Sequence, residues 1–132
     1  MRKGRQSIRG ERGQAMVEFA IVLPIFCMLL FAIAQLGIVW NNYIQLTDAV
    51  RAGARKAAVS RTASNPNQAT IDAVKTSAVN MDQSKLVVDT PTSTWAPGSD
   101  VKVCAHYPYS INIIAAVVSA GNLDSCTTER VE

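Results

Sequence analysis

Few side chains in this sequence are placed so that they could do chemistry together. Glu18 is a lone carboxylate just inside the leading edge of a long apolar run, five residues after Gly13. Burying such a group costs on the order of 2.5–3.5 kcal/mol at mid-membrane and less near the edge. One reading is that Glu18 reaches back to the headgroups and does nothing further. The spacing offers another. Cutting after Gly13 would make Gln14 the first residue and Glu18 the fifth, and the new α-amino group would be a cation. It could neutralise Glu18 of a neighbouring copy, with an attraction of about 4 kcal/mol at about 4 Å and an effective dielectric of about 20, before desolvation.

The cysteines and the single histidine hold the remaining reactivity. Cys27 lies in the apolar run and should behave as a small apolar residue. Cys104 and Cys126 fall in the polar half of the chain. With His106 as the lone histidine they form no metal-ligand pattern. Val101, Val103, Ala105 and Tyr107 alternate with Lys102, Cys104 and His106, which makes His106 a solvent-side strand residue. Leu123 to Val131 can return as an antiparallel partner that puts Cys126 on the face of Asp124 and Thr128. A hairpin centred near Ala115 would bring Cys104 and Cys126 together for a disulfide. Two unpaired thiols are the alternative. The sequence shows no paired nucleophile and base, no glycine-rich phosphate loop and no metal-ligand spacing. It therefore predicts no enzyme, cofactor or small-molecule substrate.

These residues depend on the stretch from Arg12 to Trp40. From Phe19 to Ala34 it contains no charged or strongly polar residue. Carried on to Trp40 it is about 22 residues, roughly 33 Å as a helix, enough to cross a bilayer core. Pro24 inside it removes a backbone donor and predicts a loosened turn or kink. Trp40 and Tyr43 suit the membrane interface. The net charge of +3 is unevenly placed: residues 1–13 carry five basic residues against Glu11, a balance of +4, and the remainder has eight basic and nine acidic residues. Nucleic-acid binding is a poor account of that pattern. A basic segment directly before an apolar span holds the N-terminus in the cytoplasm and predicts export of the C-terminal part, where disulfides persist. Ala32-Ile33-Ala34 resembles a secretory cleavage site, but the apolar run continues through Leu36, Ile38, Val39 and Trp40.

A basic leader, Gly13, four residues, Glu18, Phe19 and an unbroken apolar helix together resemble the class III prepilin-peptidase signature of type IV pilin-like proteins. Val17-Glu18-Phe19-Ala20-Ile21-Val22-Leu23-Pro24 is similar to the VEFAxVLP core of the TadE-like family, the pseudopilins of tight-adherence (Flp) pilus systems. Arg51-Ala52-Gly53-Ala54-Arg55 resembles that family's ARAGAR stretch. Val101-Lys102-Val103, Tyr107-Pro108-Tyr109 and Arg130-Val131-Glu132 fit its C-terminal half. Phe19 stands where major Flp pilins usually carry tyrosine, which favours a minor pseudopilin. The resemblance implies processing at Gly13, Gln14, Glu18 and Phe19 by a prepilin peptidase. It implies helix packing and assembly through Glu18, Pro24, Arg51, Gly53 and Arg55. The partners it implies are other pilins or pseudopilins, the inner-membrane assembly platform and the lipid bilayer.

After the span, helical spacing continues from Tyr43 to about Ser60. Ala49, Ala52, Gly53 and Ala57 are small enough for close approach by another backbone, either of another pseudopilin or of this chain's own domain. Asn65 predicts an N-cap, with Pro66 at the first position and Gln68 completing a capping box. That helix presents Ile71, Val74, Ala78 and Met81 on one face and ends near Asp82. Leu86 to Asp89 reads as a short strand, and Thr90 to Asp100 as a loop whose Trp95 covers the core. Ile111 to Ala120 is apolar and too short to span a bilayer. It reads as a buried helix or turn, or as a segment resting on the membrane or a partner.

The expected architecture is α+β: a long N-terminal transmembrane helix followed by one helix and about three antiparallel strands. The boundaries are a basic leader over 1–13, cleaved after Gly13; a transmembrane and stem helix over 14–61; and a small exported domain over 62–132. The expected protein is a single-pass component of a bacterial inner membrane with its C-terminal domain periplasmic, incorporation into a pilus being left open. An uncleaved single-pass anchor or scaffold of a secretion complex is the alternative.

Overall fold

The computed structural model describes residues 8–92, 94–113 and 116–132. Most of the expected leader, with Arg2, Lys3 and Arg5, lies outside the described residues. Helix α1 runs from Ile8 to Val59, 52 residues, and Pro24 lies inside it without interrupting the helix. At 1.5 Å per residue it is about 78 Å long. Its backbone is already helical through Ile8–Gly13, so the helix enters the segment expected to be a leader.

Helix α2, Pro66–Ser77, begins where the cap residue dictates: the Asn65 side chain accepts the Gln68 N–H at 3.1 Å, with Pro66 at the first position. The capping box is not completed. The Gln68 amide donates instead to Asp72 one turn on, at 2.8 Å, because an exposed i,i+4 partner is in reach. Helix α2 also stops short of the expected Asp82. Gln83 donates to the carbonyls of Lys75 and Ala78, at 3.1 and 2.8 Å. Both carbonyls belong to the helix end and also accept a backbone N–H, from Ala78 and Met81 respectively, so the Gln83 amide adds a second donor to each. Ala78 and Met81 remain buried after the turn.

Three strands, β1 (Val87–Thr92), β2 (Asp100–Ile113) and β3 (Ala116–Arg130), form one antiparallel sheet in that order. The first strand extends three residues into the expected loop. Its register shifts between Asp89 and Thr92, around Pro91, which has no N–H to give a ladder and is tolerated on an edge strand. The apolar run Ile111–Ala120 is neither a buried helix nor a buried turn. Its described residues continue β2 and β3 as a long hairpin, paired Ile111 with Ser119 and Ile113 with Ala116. An apolar run without polar alternation carries no period by which strand and helix can be told apart.

The core forms where the second half of α1 meets α2 and the sheet. Leu46, Val50, Ala54 and Ala57 of α1 are fully buried with Val74 of α2 and Val101, Val103 and Ala105 of β2. Trp95, Tyr107 and Leu123 pack against the edge of this cluster. The folded unit therefore starts within α1, near Leu46, and includes the end of the expected stem.

Candidate assembly surface

Upstream of that core, α1 is bare. Phe19, Ile21, Ile25, Phe31 and Ile38 are all exposed. An 18-residue window of the helix reaches a mean hydropathy of 2.6, with none of it buried by the rest of the chain. A helix apolar on every side needs a lipid or protein environment. This stretch of α1 holds five of the expected site residues.

At its leading end, Gly13 has open space where a side chain would project. The next residue, Gln14, donates its amide to Glu18 Oε1 at 3.3 Å, on the exposed helix surface. Phe19 and Pro24 follow on the same exposed segment. At the far end, Trp40 and Tyr43 stand tilted by 51° with ring centroids 6.4 Å apart. Both are exposed, as amphipathic aromatics at a membrane boundary would be.

The second group of expected residues is about 50 Å further along the helix, and the structure divides it. Arg51 and Arg55 face solvent, and Arg51 lies 3.5 Å from Asp48 in an ion pair exposed on both sides. Such a pair contributes at most about 1 kcal/mol. Gly53 is turned inward. A Cβ there would overlap Cγ2 of the buried Val74 and lie 3.5 Å from the Thr70 carbonyl. The small residues Ala49, Gly53 and Ala57 are all buried within this chain. Sequence reading left the partner of this surface open; it is this chain's own domain, with Gly53 against α2.

Cys104 and Cys126 lie directly opposite one another on β2 and β3, with Cα atoms 4.1 Å apart, and are joined by a disulfide. The same register sets His106 opposite Asp124, with Nδ1 2.5 Å from Oδ1, while Asp89 of β1 lies 3.7 Å from Nε2. Sequence analysis missed this bracketing of the histidine by two carboxylates. It was available in principle, since pairing Cys104 with Cys126 forces His106 onto Asp124 in an unbroken antiparallel ladder. A cavity of about 520 Å³ adjoins it, lined by Ile71, Val88, Thr90 and Cys104 among others. The cysteine there is committed to the disulfide. Among the described residues no group of three or more His, Cys, Asp or Glu side chains is placed to hold a metal ion.

Residues 13–55 match the family model described as TadE-like protein, about a third of the chain. The matched segment covers the bare apolar helix and ends within the buried part of α1. No curated protein and no solved structure matches the chain. The length and hydropathy of α1 suit a membrane anchor.

Proposed function

From its TadE-like segment, we propose that the protein is a minor pseudopilin of a tight-adherence (Flp) pilus. A prepilin peptidase removes the leader after Gly13, α1 spans the inner membrane with its N-terminus cytoplasmic, and the sheet domain is periplasmic. The observation that carries this reading is the division of α1. Its first half is apolar and uncovered, while its second half is the core of a small domain, so one helix both anchors and presents. Open space beside the Gly13 Cα, with Glu18 exposed five residues on, suits approach by a peptidase and then pairing with a neighbour. The partners in this reading are the peptidase, other pilins or pseudopilins and the inner-membrane assembly platform. The protein's role is structural.

One observation favours the alternative of an uncleaved anchor: α1 begins at Ile8 and passes through Gly13 without a break, whereas a peptidase needs access to the backbone at that point. Glu18→Ala tests the assembly role. Removing a carboxylate from an apolar span leaves insertion unchanged or easier, yet the neighbour's amine loses its countercharge. Membrane amounts should stay at wild-type levels while co-purification of other pilins and the number of pili fall. Wild-type piliation in that variant would reduce Glu18 to a bystander.

A further inference from the structure

Beyond the core, β2 and β3 continue as an uncharged arm, described up to Ile113 and from Ala116. Between His106 and Asp124 the sequence holds no charged residue. Val117 and Val118 are 67% and 63% exposed. Beside them the register shifts, Ile111 pairing with Ser119 and Asn112 with Val117, so Val118 is the extra residue of a β-bulge. Exposed valines next to the uncharged polar side chains of Ser110, Asn112 and Ser119 suit an interfacial layer, which offers both apolar and hydrogen-bonding partners. The base of the arm is firm, because Tyr109 lies over Gly121 across the ladder and fills the space a side chain would take.

Several contacts fix the direction of the arm. Helix α2 starts seven residues after α1 ends and seats Val74 against Gly53, so it runs back towards the bare half of α1. The chain then enters β1 with Val87 opposite His106. At the other end of the sheet, the Glu132 N–H donates to the Ala58 carbonyl at 3.1 Å, beside the end of α1. The level of His106 and Asp124 therefore faces the apolar half of α1. Leu123 packs on the cluster that contains Leu46, and Leu46 is about 9 Å along the helix from Trp40. The seven strand steps from Leu123 to Ala116 cover about 23 Å. That is enough to bring the arm level with the aromatic boundary of the span.

We propose that the described part of this arm, residues 108–113 and 116–122, is a second bilayer contact, resting in the headgroup region of the leaflet from which α1 emerges. The proposal rests on the reading of α1 as a span. The headgroup region is favoured over the hydrocarbon because β1 ends its pairing at His106. The edges of the arm beyond it carry backbone groups without strand partners, and these need water. With two contacts the domain is held at a set tilt against the membrane.

The test uses the full-length Cys27→Ala chain, one copy per nanodisc of phosphatidylethanolamine and phosphatidylglycerol, labelled with an environment-sensitive fluorophore without reductant. Labels are placed through Val118→Cys, Thr128→Cys or Leu30→Cys, and unreduced mass spectrometry verifies the Cys104–Cys126 link in each. At position 118, lipid carrying a doxyl group near the headgroup should quench strongly. Iodide quenching there should be several-fold weaker than at 128, and position 30 should respond to deep doxyl groups. If 118 is as open to iodide as 128 while 30 is quenched from within the bilayer, the arm proposal is overturned and the span stands. If 30 is open to iodide, the span reading itself fails. Protection from iodide at 118 without doxyl quenching would put the arm on protein and also overturn the proposal.

Discussion

Gly53 shows how one absent side chain can hold a helix pair together. Replacing glycine by alanine inside a helix ordinarily stabilises by about 1 kcal/mol. At Gly53 the added methyl meets Val74, which is β-branched and fully buried, and overpacking of that kind costs about 1–3 kcal/mol. Gly53→Ala should therefore destabilise the domain by up to about 2 kcal/mol, read from denaturant unfolding of the full chain in detergent. Gly37→Ala, where the added methyl meets nothing, should not destabilise it. The turn after α2 makes a separate residue-level claim. Hydrogen bonds from the Ser84 hydroxyl and N–H, with Lys85 nearby, hold the exposed Asp82 carboxyl below the ordinary carboxylate range. A lowered folded-state value means that the turn's contribution is present above the unfolded value and is lost as pH falls through the folded one. Ser84→Ala should move the Asp82 titration upward, as followed by carboxyl NMR.

At the scale of elements, the hairpin is where sequence and structure agree most and also differ most. Alternation over Val101–Tyr107 settles which side of β2 is buried. The two cysteines then suffice for the register, because only one antiparallel alignment sets them opposite each other. Beyond Tyr107 alternation stops, and with it the information that separates a strand from a helix, so the length of the arm was not legible. The end of α2 was hidden for a different reason: Gln83 caps it from outside the helix, and no periodic pattern records a side chain returning from a later turn. The Cys104–Cys126 bridge closes a loop of about 23 residues, which should stabilise the domain by roughly 3 kcal/mol on the chain-entropy model. For a core this small that is a large share of the total. Cys104→Ala with Cys126→Ala should lower the unfolding midpoint accordingly. Mass spectrometry of unreduced wild-type protein should find the two peptides linked.

Over the whole molecule, one helix serves two solvents. Its first half was legible from composition alone, since an uncharged run of that length has no soluble use in so short a chain. The burial of its second half was not, because small residues such as Ala49, Gly53 and Ala57 mark close approach without saying to what. The charge distribution supports the same division, with the basic excess confined to residues 1–13. The central claim is that those residues are a leader and that the working protein begins beyond them. The most direct measurement is the N-terminal sequence of protein extracted from membranes of a strain that has the prepilin peptidase, with Gly13→Leu alongside. The account predicts Gln14 as the first residue in wild type and an intact leader in Gly13→Leu, where a side chain obstructs the peptidase. An intact Met1 in wild type, or a start at Gln35, would contradict it.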